Sequence, residues 1–243
     1  MLCIGRTDIG RLRSNNQDAF VCGKLSADLP FAIVCDGMGG ANGGNIASAL
    51  AIRTITNRLV SSYRQDMTME SMQRVLESAI AAANIAVYDE AAASAELRGM
   101  GTTLVLAVMM GERVLIAHIG DSRAYVITQD GTIEQITKDH SVVQQMLERG
   151  QITAEEAKTH PRRNFITRAL GVSDTVACDF SEFVLPKGAK VMLCSDGLSG
   201  MVDLPHMQEI VASCEDDMLP DRLVAAANLA GGSDNITVAL IVR

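Results

Sequence analysis

Short apolar runs along the chain predict β-strands, because each run is too short for an ordinary helix and is bounded by turn residues. The runs cover residues 31–35, 102–110, 113–119, 124–128, 190–194 and 236–242. Gly111 and Glu112 predict a tight turn between the second run and the third. Residues 120–123 predict another turn between the third run and the fourth. We therefore expect sequential antiparallel hairpins.

Two longer stretches carry apolar residues at helical spacing. Residues 46–63 and 71–95 follow the first strand, and both contain enough Ala for close packing. Their short connection at residues 65–70 predicts an antiparallel pair, and two further helices are predicted at 205–214 and 219–229. Hairpins combined with paired helices predict an α+β fold in which helices cover the faces of antiparallel sheets.

Residues 139–171 differ in character from the rest of the chain and are mainly polar. They begin with a predicted short helix at 141–149, and Thr153 with Glu156 forms a capping box that opens another helix. We interpret the segment as an insertion on the rim of the sheets. It is either a surface excursion or a flap beside an active site, and the pattern alone does not decide between the two.

Length, charge and hydropathy narrow the class of protein. The 243 residues contain no linker rich in Ser, Gly or Pro, so we expect a single domain over residues 1–243. The net charge of −8 lacks the basic field expected for nucleic-acid or membrane binding, although a local basic pocket is compatible with it. No apolar run is long enough for a membrane span, and residues 1–10 do not resemble a signal peptide. Six cysteines without CxxC spacing fit reduced thiols, so we expect a cytoplasmic protein.

Four acidic residues stand at the ends of predicted strands. Asp36, Asp121 and Asp196 follow strands, and Asp234 precedes the last one. One such Asp is most often a turn former, but four in a small domain predict a cluster. Clustered carboxylates repel one another unless a cation joins them. Because no His or Cys stands among these positions, the predicted cation is Mg²⁺ or Mn²⁺, which prefer oxygen ligands.

Two further features offer candidate phosphate chemistry. Arg13 lies five residues before Asp18, and its planar guanidinium fits a phosphate, although a surface Arg in a polar loop is the simpler interpretation. The Gly-rich residues 36–44 match neither a P-loop nor GxGxxG. We interpret them as a tight turn that exposes Asp36 and the Gly37 carbonyl.

Motifs of other hydrolases are absent from the sequence. No cysteine has an Arg six positions later, and neither GxSxG nor HExxH occurs, so thiolate, serine and zinc hydrolase mechanisms are unsupported. We interpret His118, within a predicted strand, as a structural residue with satisfied hydrogen bonds. We assign no role to His140, which begins the insertion.

Eight short motifs occur in the order found in one enzyme family. They are RxxNQD at 13–18, DGMGG at 36–40, GTT at 101–103, GDSRAY at 120–125, TxDHS at 137–141, RNxITR at 163–168, SDGL at 195–198 and DNITV at 234–238. Each motif is weak alone, but eight in order are specific. Over residues 5–243 the chain resembles the bacterial branch of the metal-dependent (type 2C) serine/threonine protein phosphatases.

The resemblance implies a fold and a metal site. The fold is a central sandwich of two antiparallel β-sheets flanked by pairs of antiparallel helices, with 139–171 as a flap. The implied cofactors are two Mn²⁺ or Mg²⁺ ions per active site, with possibly a third. By position, the ligands of the first two ions are Asp36, which bridges both, the Gly37 carbonyl, which binds one, and Asp196 and Asp234, which bind the other.

Three more positions match residues with roles in the family. Asp18 would hold metal-bound water, and Asp121 together with Asp196 resembles the third-metal site of bacterial members. Arg13 would bind the substrate phosphate. The resemblance therefore implies Arg13, Asp18 and Asp36 as the residues nearest to the reaction.

The implied reaction is hydrolysis of phosphoserine and phosphothreonine in proteins by a hydroxide that bridges the two metals. The implied partners are phosphorylated proteins and a cognate bacterial serine/threonine kinase. Some relatives oppose a kinase of type VI secretion and others oppose cell-envelope kinases, and the sequence does not choose between these pathways. We expect a monomeric, free-standing catalytic domain that binds neither nucleic acid nor membrane.

Two positions depart from the family pattern. Gln17 stands where the family usually has Glu, which removes a negative charge near the second metal. Met38 stands where eukaryotic members have a His proposed as the general acid, so we expect a metal-bound water to donate the proton instead.

Two alternative functions stay open. A metal-dependent nucleotide or nucleic-acid phosphohydrolase would use similar carboxylates, but the acidic charge and scarce aromatics weigh against it. A pseudophosphatase would bind phosphoproteins without turnover, but all the principal metal-site Asp residues are present.

Overall fold

A computed structural model of the chain describes residues 1–40 and 43–243. Its strands are β1 (Leu2–Asp8), β2 (Asp18–Ser26), β3 (Leu29–Met38), β4 (Gly101–Thr102), β5 (Leu104–Met110), β6 (Arg113–Ile119), β7 (Arg123–Ile127), β8 (Ile133–Gln135), β9 (Asp179–Val184), β10 (Lys190–Cys194) and β11 (Ile236–Val242). Its helices are α1 (Gly40–Ser62), α2 (Met69–Ala93), α3 (Val142–Glu148), α4 (Ala154–Thr159), α5 (Asp196–Ser199), α6 (Leu204–Ser213) and α7 (Leu219–Leu229).

Two antiparallel sheets pack face to face. The first sheet has the strand order β1-β11-β10-β7-β8, and the second has the order β2-β3-β5-β6-β9, with β4 beside β3. Aliphatic side chains from both sheets meet between them, among them Val34, Val105, Ile116, Val191 and Ile241. The first and last strands of the chain are neighbours in the first sheet, so both ends of the sequence contribute to the same core.

Helices cover the outer faces of both sheets. Helices α1 and α2 pack on the second sheet through residues such as Ile55 and Leu76. Helices α6 and α7 pack on the first sheet through residues such as Met207 and Leu223. Burying one such aliphatic side chain contributes roughly 1.5–3 kcal/mol. The predicted α+β sandwich with flanking helices is confirmed, and the central strands are apolar throughout because both of their faces are covered.

One predicted hairpin is correct and the next is wrong. Strands β5 and β6 pair through the turn at Gly111 and Glu112, as predicted. Strands β6 and β7 belong to different sheets, so residues 120–122 cross from one sheet to the other. Gly120 permits the crossing because its φ is +107° and a Cβ there would lie 2.7 Å from the Thr103 Cγ2.

The apolar pattern did not predict four strands. Strands β1, β8 and β9 lie at sheet edges, as does β2, and much of their surface is half-buried or exposed. In β1, β8 and β9 the apolar residues therefore alternate weakly with polar ones, whereas β2 does contain a short apolar run, residues 19–22, that the sequence analysis did not assign. The predicted run 102–110 is also interrupted, because β4 ends at Thr102 and β5 begins at Leu104. At the break, the Thr103 hydroxyl accepts from the Asp36 N–H at 2.9 Å.

Residues 139–171 carry α3 and α4, and one bridge closes the segment on itself while another attaches its end to the body. Isolated bridges join Ser141 to Ile166 and Thr102 to Leu170. The predicted capping box is confirmed, because the Thr153 hydroxyl accepts from the Glu156 N–H and the Glu156 carboxylate accepts from the Thr153 N–H. Within the described residues, no helix combines the length and hydropathy that a bilayer span requires.

Candidate functional site

Two of the predicted carboxylates face each other across neighbouring strands. Asp18 at the start of β2 is the direct partner of Asp36 near the end of β3. Like charges at directly opposed positions destabilise a sheet. The pair is therefore unfavourable for the fold alone, which suggests that a function maintains it.

The Asp18 carboxylate is buried and held by two hydroxyl groups. Its Oδ2 accepts from the Ser195 hydroxyl and from the Thr237 hydroxyl, each at 2.7 Å. Its Oδ1 is buried with no hydrogen-bond partner. The pKa of Asp18 is raised to about 7, mainly by burial and also by the nearby Asp196 and Asp234 charges, while the two hydroxyls oppose the shift.

Asp36 and Asp196 form the centre of the cluster. Burial, followed by the neighbouring carboxylates, raises the pKa of Asp36 well above its ordinary value. Burial and then the charge of Asp234 raise the pKa of Asp196, while a hydrogen bond with Asp36 opposes the shift. The Asp196 Oδ1 is another buried oxygen without a hydrogen-bond partner.

Asp121 lies in the crossing between the sheets. Burial raises its pKa to about 8, and the charges of Asp196 and Asp139 add to the shift. Asp121 also contributes to the shift of Asp36. The corner that the sequence predicted as a hairpin turn thus brings this carboxylate to the cluster formed by the other strand ends.

Arg13 and Asp234 form an ion pair at the edge of the cluster. The Arg13 Nη2 lies 2.7 Å from the Asp234 Oδ2, and the guanidinium is half exposed. The Asp234 Oδ1 accepts from the Asn235 N–H at 2.8 Å. Hydrogen bonding to Asp234 is the main cause of a raised pKa of Arg13, and Asp196 and Asp36 add to it. A cation thus borders the buried negative charge.

Gly37 and Gln17 hold the turn that leads into α1. The Gly37 N–H donates to the Gln17 carbonyl at 3.1 Å, and a Cβ at Gly37 would collide with the Gly44 carbonyl oxygen. The Gln17 side chain donates through Nε2 to the Gly40 carbonyl at 2.8 Å. Gln17 therefore uses a donor that the family's Glu lacks.

Asn235 is a positioning residue that sequence reasoning missed. Its Nδ2 donates to the carbonyls of Ile9 (2.9 Å) and Asn15 (3.0 Å), and its Oδ1 accepts from the Gln17 N–H at 2.8 Å. One buried amide thus fixes the loop that carries Arg13. Its presence in the DNITV motif was the available signal, as was the presence of Ser195 in SDGL and of Thr237 in DNITV.

The donor set fits a hard divalent cation in its chemistry. All its side-chain donors are carboxylates, burial makes their joint ionisation costly, and two of their oxygens are buried without partners. Within the described residues, however, no three His, Cys, Asp or Glu side chains converge into a ready-made cage. The carboxylates share one electrostatic region without forming a closed ligand set, and the individual metal roles remain predictions.

The His118 prediction was wrong in one respect. The residue is buried, but its Nε2 has no hydrogen-bond partner. Burial lowers the pKa of His118 to about 4, so the ring is neutral near pH 7. Its ring stacks against His140 with centroids 4.7 Å apart.

A cavity of about 340 Å³ opens beside Met38, two residues beyond Asp36. Its other walls come from the end of the insertion and the segment that follows, residues 166–169, 172–173 and 175–177. The lining is mixed: apolar side chains stand beside the polar Thr167, Ser173 and Thr175 and the guanidinium of Arg168. None of the clustered Asp residues lines the cavity, so Met38 is its link along the chain to Asp36.

Comparison with known proteins gives a consistent result. The profile of the protein phosphatase 2C family matches residues 9–228. The chain is 39% identical over 241 residues to serine/threonine phosphatase stp of Listeria welshimeri, which covers 98% of this chain and 94% of that protein.

Solved structures agree with the sequence relatives. The Mycobacterium tuberculosis serine/threonine phosphatase PstP/Ppp superimposes with a TM-score of 0.88 and 36% identity, covering 98% of this chain and 97% of that one. The catalytic domain of PstP in complex with two manganese ions superimposes with a TM-score of 0.85 and 34% identity, covering 98% and 96%. The chain therefore belongs to the protein phosphatase 2C family of serine/threonine phosphatases.

Proposed function

We propose that this chain hydrolyses phosphoserine and phosphothreonine in proteins, using Mn²⁺ or Mg²⁺ bound at the carboxylate cluster. The observation that carries the proposal is the gathering of five Asp side chains from distant parts of the chain into one group, in which Asp18 is buried and the other four are half-buried. Burial and the neighbouring carboxylates raise the pKa values of four of them, Asp18, Asp36, Asp121 and Asp196. Such an arrangement has no structural benefit without a cation. The manganese ions bound to the related PstP support the choice of metal.

Each residue of the cluster has a proposed role. Asp36, the Gly37 carbonyl, Asp196 and Asp234 would hold two ions, and Asp121 with Asp196 would hold a third. Such ions, when bound, supply an activated water nucleophile at neutral pH and neutralise phosphate charge. Asp18 is placed to accept a hydrogen bond through its unpartnered Oδ1, because Ser195 and Thr237 already fix its other oxygen.

Arg13 would bind the phosphate group of the substrate. It is half exposed and lies at the mouth of the cluster through its ion pair with Asp234. Its planar fork suits bidentate contact with phosphate oxygens, and charge on those oxygens strengthens such hydrogen bonds. The cavity beside Met38 gives room for the polypeptide that carries the phosphate.

We further infer that residues 1–243 act as one catalytic domain with 139–171 as its flap. We further propose that it is a monomer that opposes a cognate serine/threonine kinase in the cytoplasm. The names of the relatives support the serine/threonine phosphatase activity on which this proposal depends. No described feature points to a nucleic-acid partner, and the net charge of −8 opposes one.

The test is phosphate release from a phosphoserine peptide after dialysis against EDTA, with and without added Mn²⁺. We expect no activity in EDTA and full recovery with Mn²⁺ or Mg²⁺. Single-stranded DNA and a nucleotide are assayed in parallel. Full activity after exhaustive chelation would contradict the metal site, release from DNA alone would favour the phosphohydrolase alternative, and peptide binding without turnover would indicate a pseudophosphatase.

A further inference from the structure

His140, for which the sequence suggested no role, makes a double contact with a single glycine. The His140 N–H donates to the Gly120 carbonyl at 2.7 Å, and the Gly120 N–H donates to the His140 Nδ1 at 3.0 Å. Both residues are buried. Main chain and ring of one residue therefore clamp the glycine that directly precedes Asp121.

The hydrogen bonds define the tautomer of the His140 ring. Because a backbone N–H can only donate, Nδ1 must be the acceptor, and in the neutral ring the proton then resides on Nε2. The Nε2–H is 3.1 Å from the Asp179 Oδ2 and donates to it. The Arg168 Nη1 donates to the other oxygen of Asp179 at 2.7 Å, so the carboxylate is fixed on both sides. The same Nη1 lies 3.1 Å from the His140 Nε2, and because both atoms carry protons in this tautomer, that contact is not a hydrogen bond.

The same residue holds the insertion to the body. The His140 carbonyl accepts from the Thr167 N–H at 2.7 Å, near the end of the insertion. The next residue, Ser141, forms the bridge to Ile166. His140 thus connects both ends of the 139–171 segment to the crossing at Gly120.

We propose that His140 is a positioning residue, which sets the place of the Asp121 carboxylate by clamping Gly120 to the base of the flap. The proposal rests on the proposed function, in which Asp121 belongs to the metal site. Gly120 packs closely against Thr103, since a Cβ there would lie 2.7 Å from the Thr103 Cγ2, and its φ of +107° is one that residues with side chains rarely adopt. The clamp therefore fixes the position of the backbone directly before Asp121, and His140 itself is not proposed as a metal ligand.

The experiment compares two substitutions at one position. His140→Phe keeps a ring against His118 but removes the acceptor for Gly120. His140→Asn keeps an acceptor close to the position of Nδ1 and loses the contact with Asp179. The matched control is Asp179→Asn, which changes the far side of the ring and retains an oxygen that accepts from Nε2–H.

Deuterium exchange of the Gly120 amide in metal-free protein is the first measurement, because it does not depend on turnover. We expect His140→Phe to exchange about three- to tenfold faster, the range for losing one buried hydrogen bond. His140→Asn and Asp179→Asn should stay within about twofold of wild type. Unchanged exchange in His140→Phe would overturn the clamp.

Kinetics with a phosphoserine peptide at saturating Mn²⁺ provide the second measurement. We expect His140→Phe to lower kcat by about three- to tenfold with KM unchanged, because Arg13 is untouched, and His140→Asn to restore most of the loss. Equal losses in both variants would overturn the role of the Gly120 contact. If wild type itself lacks phosphatase activity, the proposed function is wrong, but the exchange measurement still tests the contact between His140 and Gly120.

Nitrogen chemical shifts of His140 in wild-type protein add a test that needs no variant. We expect a protonated Nε2 and a bare Nδ1 throughout neutral pH. A proton on Nδ1 would contradict the proposal even if His140→Phe does not fold.

Discussion

Carboxylates occupy two contrasting settings in this protein. In the cluster, burial raises the pKa of Asp18 to about 7 and that of Asp121 to about 8. In residues 139–171, the insertion proposed as a flap, the exposed Glu148 and Glu156 have lowered pKa values, because Gln144 donates to the first and the backbone of Thr153 donates to the second. The same functional group is therefore costly in one region and stabilising in the other.

The difference between the two regions lies in the hydrogen-bond donors available to each carboxylate. In the flap, Glu148 and Glu156 each accept from a donor in their own helix or at its N-cap, so local sequence rules account for them. In the cluster, the carboxylates outnumber their donors, and two oxygens lack any partner. The sandwich contributes the stability that keeps these repelling groups together, and a divalent cation would remove most of the repulsion.

Removing one carboxylate from each region tests the contrast most strongly. We expect Asp36→Asn to lower kcat by at least about 100-fold, since it deletes a proposed ligand. In EDTA its melting temperature should equal or exceed that of wild type, because Asn replaces a carboxyl group whose ionisation is opposed by burial and by the neighbouring carboxylates. The flap control, Glu155→Gln, should leave both quantities unchanged.

Thermal denaturation and phosphopeptide kinetics measure both variants. A metal-free Asp36→Asn protein that melts well below wild type would show that the carboxylate is structural. A large kcat loss in Glu155→Gln would erase the distinction between the regions.

The pH dependence of stability should differ between metal-free and metal-bound protein. Unfolded Asp residues release protons near pH 3.8, whereas Asp18 and Asp121 in the folded state retain them to about 7 and about 8. The folded state therefore binds more protons over this range, and its free energy of unfolding falls as pH rises from about 4 to about 8. We expect a loss of a few kcal/mol in EDTA.

Denaturant titrations at several pH values, in EDTA and in Mn²⁺, measure this slope. Bound Mn²⁺ should flatten it, because the ion replaces the protons. The flap acids act in the opposite sense, since their lowered pKa values give stability that is lost only as pH falls below about 4.5. A metal-free protein whose stability rises between pH 5 and 8 would refute the assignment of buried, protonated carboxylates.

Arg13 is the cation at the border of the cluster, and its removal should affect substrate binding. We expect Arg13→Ala to raise KM for a phosphoserine peptide about tenfold with a smaller change in kcat, because a charge-assisted contact with phosphate is lost. Arg11→Ala, in the same loop, is the control and should leave KM unchanged. If both variants behave alike, Arg13 is not the phosphate ligand.

The sequence predicted the buried strands better than the edge strands. Strands β5 and β11 are buried on both faces and appear as unbroken apolar runs, whereas β1 and β9 lie at edges and alternate only weakly. The hairpin prediction failed at Gly120 because a turn signal indicates a reversal but not which sheet receives the next strand. That choice depends on packing across the whole sandwich.

The sequence indicated which Asp residues belong to the site, but it did not indicate which residues hold them in place. Asp36 and Asp196 stood out because each follows an apolar run. The hydroxyls that hold Asp18 come from Ser195 and Thr237, which are 177 and 219 residues away in sequence. No local pattern encodes contacts at that separation, so family motifs were the only signal for them.

Substitutions of Gln17 should have the smallest effect. They distinguish two roles of the side chain, which are to hold the turn before α1 and to influence metal binding. Its amide donates to the Gly40 carbonyl at 2.8 Å, an exposed bond whose loss should lower the metal-free melting temperature by about 2 °C. Gln17→Glu and Gln17→Met both remove this donor, so both should show the decrease. Only Gln17→Glu adds a negative charge beside the cluster, and Coulomb attraction of about 1 kcal/mol should lower the Mn²⁺ concentration for half-maximal activity roughly fivefold. Superimposable Mn²⁺ curves for wild type and Gln17→Glu would restrict the residue to the turn, and unchanged melting in both variants would remove that role as well.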